Sequence, residues 1–207
     1  MLKETGKLAQ VSGKDVHIDP EDHYDSWAES YNKDLLEQYG YCAHKLAVNA
    51  FQKVHANRKK PIIDVGCGTG LVGLEMARIG YETIDGLDVS KGMLDKARAL
   101  GIYRKLFQKR IGCKNLSTLA GYSGVLCVGS FGLGHMLKDD ILLLIKMATP
   151  NAPIVIFMNA EPFETQGYTT TLKRLIKEGL WIIERLEDHN YMSALNRPGK
   201  LIVGRRV

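Results

Sequence analysis

The sequence predicts an α/β fold in which a mostly parallel sheet alternates with helices, and two stretches carry most of that prediction. The first is PIIDVGCGTG at 61–70. Ile62, Ile63 and Val65 form a short apolar run bounded by Pro61 and by glycines, the pattern of a strand buried in a parallel sheet. Gly66, Gly68 and Gly70 follow at alternate positions, and a helical apolar pattern begins at Leu71. A strand–turn–helix corner of this kind suits phosphate or nucleoside groups. Glycine permits positive φ and a close approach to bare backbone, and the helix N-terminus offers free N–H groups. The second stretch, GLDVSKGMLDKAR at 86–98, closes another strand-like run with Asp88, about 20 residues beyond the corner, where an acid can grip ribose hydroxyls. Read alone, the glycines also allow a dinucleotide-binding corner or a surface loop, although GxGxG differs from the dinucleotide GxGxxG. Asp64 lies inside the first strand and needs a partner there, because a bare buried carboxylate is costly.

Taken in order, residues 1–20 are polar, carry Gly6, Gly13 and Pro20, and read as a loose arm. In 21–39, Tyr24, Trp27, Tyr31 and Leu35 recur at helical spacing. Ala43, Leu46, Ala47, Ala50, Phe51 and Val54 mark one face of a second helix, with Gly40 as the hinge between the two. After the glycine corner, a helix over 71–79 stops at Gly80, and 81–87 is the second strand. Ser90 caps a helix over 91–100 that ends at Gly101. Residues 106–111 make the third strand and 122–130 the fourth. The loop FGLGHM follows at the carboxyl edge, where open α/β sheets bind ligands. A helix over 139–148, the turn TPNAP and a strand over 154–158 come next. A helix over 169–178 stops at Gly179, and 180–186 and 200–205 form a final antiparallel pair. Their connection, EDHNYMSALNRPG, is long for a hairpin, and long loops are often functional.

With 207 residues, 45% of them hydrophobic, the chain can bury one substantial core, and 1–207 reads as one domain. A net charge of +5 is compatible with an anionic substrate and falls short of a nucleic-acid signature. Arg58-Lys59-Lys60, and the group Arg104, Lys105, Lys109 and Arg110, read as solvated faces. Cys42, Cys67, Cys113 and Cys127 show neither a CxxC pair nor metal-ligand spacing, so no metal and a reduced, cytoplasmic compartment are expected. The first residues lack the apolar core of a signal peptide, and no run has the length of a membrane span.

IIDVGCGTG followed by GLDVSKGMLDKAR resembles the first two motifs of the class I S-adenosylmethionine-dependent methyltransferases. The likeness runs across most of the chain, including YDSWAESYN and GMLDKARALGIY. It implies a Rossmann-like, seven-stranded, mostly parallel sheet with one antiparallel strand, helices on both faces and an N-terminal helical lid. Residues 21–57 would then be lid and leader, and 58–207 the core. The implied cofactor is S-adenosyl-L-methionine and the product S-adenosyl-L-homocysteine. Cofactor-binding roles fall to Tyr24, Trp27 and Tyr31 in the lid and to Asp64, Gly66, Cys67, Gly68 and Gly70 at the corner. They fall also to Asp88, Val89, Ser90 and Met93, to Arg110 and Ile111, and to Gly129 and Ser130. Many relatives place an acid after the third strand for the adenine amino group. Lys109-Arg110-Ile111-Gly112 stands here instead, so backbone or another side chain must recognise adenine.

Methyl transfer from a sulfonium needs positioning, which supplies roughly 7–11 kcal/mol, and a base only where the acceptor is protonated. His135, Tyr24 and Tyr31 are the catalytic candidates. The acceptor's walls are expected from the lid, the loop 131–136, the stretch 159–166 and the loop 188–198. Within them Phe131, His135, Met136, Glu161, Phe163, Tyr191 and Arg197 are the substrate-binding candidates. This mainly apolar and aromatic set suits a small-molecule N or O nucleophile and gives a phosphate backbone little to hold. The expectation is a small-molecule methyltransferase, monomer or homodimer, with no membrane partner. A protein or RNA methyltransferase and a non-catalytic cofactor-binding protein are the alternatives.

Overall fold

The computed structural model describes residues 4–12, 19–111, 119–132 and 135–207. Gly13, Gly112, Cys113 and two residues of the FGLGHM loop, Leu133 and Gly134, lie outside the described residues. Chain order begins with α1 (Gly6–Ser12), α2 (Pro20–Trp27), α3 (Tyr31–Lys33) with a π-helical turn at Asp34–Gln38, and α4 (Ala43–Val54). Then β1 (Ile62–Val65), α5 (Leu71–Arg78), β2 (Ile84–Asp88), α6 (Lys91–Ala99), β3 (Tyr103–Gln108) and β4 (Gly124–Val128) alternate. The remainder is α7 (Ile141–Met147), β5 (Pro153–Asn159), α8 (Ala160–Thr165), α9 (Tyr168–Lys177), β6 (Trp181–Met192) and β7 (Arg197–Arg206).

The strands form one seven-stranded sheet in the order β3-β2-β1-β4-β5-β7-β6. Neighbours from β3 to β5 pair in parallel, and β7 runs antiparallel to both β5 and β6. The order reverses at β1, so the space beyond the carboxyl ends of β1 and β4 is the topological switch point where open sheets bind ligands. Strand periodicity divides the apolar residues between two cores. Ile63, Val65, Val125, Ile154 and Ile202 pack with α7 and α9 on one face. Ile62, Leu126, Val155 and Val203 pack with α4 and α5 on the other, and Trp27, Leu35 and Leu8 extend that second core.

Local chemistry accounts for the element ends. Asp19 caps α2 by accepting from the Glu21 N–H, with Pro20 supplying the pre-set φ of a first helical turn. Ser90 caps α6 through the Met93 N–H. Four expectations are corrected. The third strand starts at Tyr103 and ends at Gln108, because its ladder follows β2 and its pattern is half-exposed rather than apolar. The long loop between the last two strands is a short turn at 193–196, since polar–apolar alternation carries β6 to Met192 and β7 back to Arg197. A short helix, α8, is capped by Asn159 where no helix was expected. The arm is helical over Gly6–Ser12, anchored by Leu8 in the second core and by Thr5 bonding the Tyr39 hydroxyl.

Candidate active site

The glycine turn after β1 takes three positive φ values, 71° at Gly66, 52° at Gly68 and 93° at Gly70, which side chains rarely adopt. A Cβ at Gly66 would collide with Ser130 Oγ beyond β4, whereas one at Gly68 would meet nothing. Gly68 therefore presents bare backbone to an open space. Asp88, at the end of β2, binds this turn to its own helix. Its Oδ2 accepts from Gly68 N at 2.8 Å and its Oδ1 from Ser90 N at 2.9 Å. Each oxygen keeps a further lone pair for a ligand hydroxyl. Burial raises the Asp88 pKa, opposed by those N–H groups.

Asp64 lies deeper and is 1% exposed. The Tyr103 hydroxyl donates to its Oδ2 at 2.8 Å, and its Oδ1 has no hydrogen-bond partner. Burial pushes its pKa up to about 7, the Tyr103 bond opposing and the Asp88 charge adding to the rise.

Two cavities adjoin here, of about 180 and 120 Å3. The first is lined by Gly66 and Gly68, by Leu87, Asp88 and Val89, by Met93, by Lys109, Arg110 and Ile111, and by Val128, Gly129 and Ser130. Pro20, Tyr24 and Tyr31 roof it, and Met136, His135 and Asp140 complete it. The second is lined by Leu8, Trp27, Leu35, Tyr41, Phe131, Gly132, Asn159, Glu161, Pro162, Gln166, Tyr191, Met192 and Arg197. Tyr24, Tyr31, Gly129 and His135 belong to both and form the wall between them. In that wall the Tyr24 hydroxyl is 3.5 Å from His135 Nε2. Burial lowers the His135 pKa to about 4, so the imidazole is neutral at pH 7, and burial raises the Tyr24 and Tyr31 phenols.

Helix α2 and the residues flanking it are latched to the N-terminus of α6 and to the edge of the first cavity. Asp25 Oδ1 accepts from Ser90 Oγ at 2.5 Å and Gly92 N at 2.8 Å, placing an acid on the N-terminus of α6. Thr69 Oγ1 donates to Asn32 at 2.6 Å, and Arg110 donates to both Asp19 oxygens at 3.1 Å.

Most of the candidates read from the sequence line one cavity or the other. Trp27 lines the second and not the first, and Met136 the first and not the second. Asp64, Cys67, Gly70, Ser90 and Phe163 line neither. Ser90 supports the site from behind through Asp25, and Phe163 stacks on Tyr168 with Lys200 over its ring. Sequence reasoning missed Pro20, Leu87, Lys109, Val128 and Asp140 in the first cavity and Leu8 and Tyr41 in the second. The aromatic run around Gly40 was a usable signal for Tyr41. The arm's lack of apolar periodicity gave none for Leu8.

A family model described as a methyltransferase domain matches residues 62–148. Methyltransferase-like protein 27 of Homo sapiens is 31% identical over 164 residues, which are 76% of this chain and 66% of that protein. A Geobacillus protein named as a methyltransferase is 32% identical over 124 residues, 56% of this chain and 47% of its own length. The chain thus spans between about half and two thirds of the length of these curated relatives. Magnesium protoporphyrin IX methyltransferase from Synechocystis, solved with bound S-adenosylhomocysteine, shares the fold with a TM-score of 0.63 at 16% identity, over 90% of this chain and 98% of its own. The sheet order and these matches give the chain the fold of the class I S-adenosylmethionine-dependent methyltransferases and make it similar to them over most of its length.

Proposed function

We propose that this protein transfers a methyl group from S-adenosylmethionine to a small-molecule N or O nucleophile. The observation that carries the reading is the pair of adjoining cavities with Tyr24, Tyr31, Gly129 and His135 as their common wall. The first cavity fits the cofactor: Gly68 offers bare backbone, Asp88 two acceptor oxygens, and Leu87, Met93 and Ile111 apolar surface. When bound, the cofactor supplies an electrophilic methyl carbon for in-line displacement. Asp88 would hold the ribose hydroxyls, the Gly66–Gly68 turn the methionine end, and Met93 and Ile111 the adenine. Arg110, drawn to Asp19, holds the lid beside that end rather than replacing the missing adenine acid. The lid excludes water from the shared wall, which strengthens every electrostatic contact inside.

His135, neutral at pH 7, can take a proton at a ring nitrogen from an amine or hydroxyl acceptor while Tyr24 orients the ring. Among the described residues that line the second cavity, Arg197 is the one lysine or arginine, which disfavours a nucleic-acid backbone. No helix of the described residues is long and apolar enough to cross a membrane. We read the chain as a single cytoplasmic domain of arm, lid and core, monomeric or homodimeric. Through YDSWAESYN and GMLDKARALGIY we place it beside the methyltransferase-like protein of the Williams-Beuren syndrome region.

The test is methylation of a metabolite mixture and of total RNA, each at low and high salt. Transfer to a metabolite with little salt dependence is expected. Transfer to RNA alone, with a steep salt slope, overturns the small-molecule reading. Cofactor binding with no transfer to any mixture favours a non-catalytic binder.

A further inference from the structure

Arg197 opens β7 and lines the second cavity, with its side chain 17% exposed. A guanidinium withdrawn that far from water needs an anion beside it. That anion is the carboxylate of Glu4, from the segment leading into α1. The same segment covers the cavity: Leu8 stands in its wall, Thr5 bonds the Tyr39 hydroxyl, and Lys7 Nζ donates to Ser26 Oγ at 2.6 Å. A helix as short as α1 does not persist in water by itself. Among the described contacts that hold it are this ion pair, the buried Leu8 and a few side-chain bonds, each of which a competing ligand can displace. Arg197 lines the second cavity and belongs neither to the first cavity nor to the shared wall.

We propose that Arg197 anchors a carboxylate of the methyl acceptor, and that Glu4 stands in for that carboxylate until the acceptor arrives. The proposal deepens the methyl-transfer reading and rests on it. Glu4 itself supplies the chemical class, since the planar guanidinium fork matches a carboxylate. The nucleophilic N or O must be a different group of the acceptor, because the methyl comes through the wall of Tyr24, Tyr31, Gly129 and His135 and Arg197 is not part of it. The acceptor is therefore a small carboxylic acid carrying an amine or hydroxyl. Its apolar body meets the rings of Phe131, Tyr41 and Tyr191.

The experiment is calorimetry on the full chain with S-adenosylhomocysteine, titrating glycine, 3-hydroxypropionate, anthranilate and salicylate, each against its primary amide. At least one acid should bind, and its amide at least tenfold more weakly. Glu4→Gln should tighten that acid about tenfold, because a tethered carboxylate competes at millimolar effective concentration. Arg197→Gln should lose the acid and keep S-adenosylhomocysteine, whose cavity neither residue lines. Should Arg197→Gln fail to fold, Glu4→Gln and the acid–amide comparison still decide. Equal binding of acid and amide, an unchanged affinity in Glu4→Gln, or no acid binding to Glu4→Gln each overturns the proposal. Titrating S-adenosylhomocysteine alone into the wild-type chain separates the outcomes, since a chain that binds no cofactor sinks the methyl-transfer reading instead.

Discussion

Two carboxylates at the ends of neighbouring strands show how position sets role. Asp64 and Asp88 both lie beside the glycine turn, yet only Asp88 reaches the first cavity. Asp64 bonds Tyr103 through one oxygen, the hydroxyl arriving from β3, and its other oxygen has no partner. Asp88→Ala removes the charged acceptor that faces the cavity and releases the Gly68 and Ser90 N–H groups. Losing charge-assisted bonds of this kind costs about 1.5–3 kcal/mol. Cofactor affinity measured by calorimetry should fall roughly tenfold to a hundredfold. Unchanged affinity would mean that Asp88 serves the turn and not the ligand. Its place beside the glycine turn was legible because the glycine spacing and the acid about 20 residues later are local in sequence. The bond of Asp64 to Tyr103 was not, since 39 residues separate the partners.

At the scale of elements, α2 is where the lid expectation can be tested, because a lid's stability depends on its ligand. Helix α2 carries Tyr24 into the wall between the cavities and Asp25 onto the N-terminus of α6. Asp25→Ala withdraws a cap shared by Ser90 and Gly92, worth about 0.5–2 kcal/mol. Amide exchange over α2 should quicken in this variant while β1 and β4 keep their protection. In the unaltered protein, cofactor should slow exchange over the same helix. Equal exchange with and without cofactor would make α2 ordinary core. The aromatic spacing exposed this helix in sequence, but the extent of β6 and β7 escaped. The segment EDHNYMSALNRPG contains Pro198 and polar residues, and only pairing across the hairpin makes Asp188 to Met192 extended.

For the whole molecule, pH is the sharpest probe of packing. His23, His44, His55 and His135 all have pKa values lowered by burial, with His44 and His135 at about 4. Each takes a proton in the unfolded chain near 6.5 and resists it when folded, so its share of stability is lost as pH falls below about 6.5, and for His44 and His135 the loss runs towards 4. Asp64, raised to about 7, acts with opposite sign in the same window, because the folded chain holds the extra proton. A single denaturation curve against pH mixes the two. His44→Phe separates them, since His44 is 4% exposed, stacks on Tyr41 and has an unpartnered Nδ1. The difference in unfolding free energy between His44→Phe and the unaltered protein should move in favour of the variant as pH drops from 6.5 to 4. A constant difference across that range would place the His44 ring in contact with water.

The sequence by itself determined the class of fold, the chain order of its seven strands with the helices between β1 and β5, and the corner with its acid. These features depend on glycine φ, on two- and 3.6-residue periodicity and on caps, each acting within a few residues. Only the tertiary structure decided which side chains share a cavity. Tyr24 meets His135 across 111 residues, and Glu4 meets Arg197 from opposite parts of the chain. No local pattern encodes such pairs, because they arise where the sheet, the lid and the arm close on one another. The same reason makes Asp25 a clasp, Asp64 a buried partner of Tyr103 and Leu8 a wall of the second cavity.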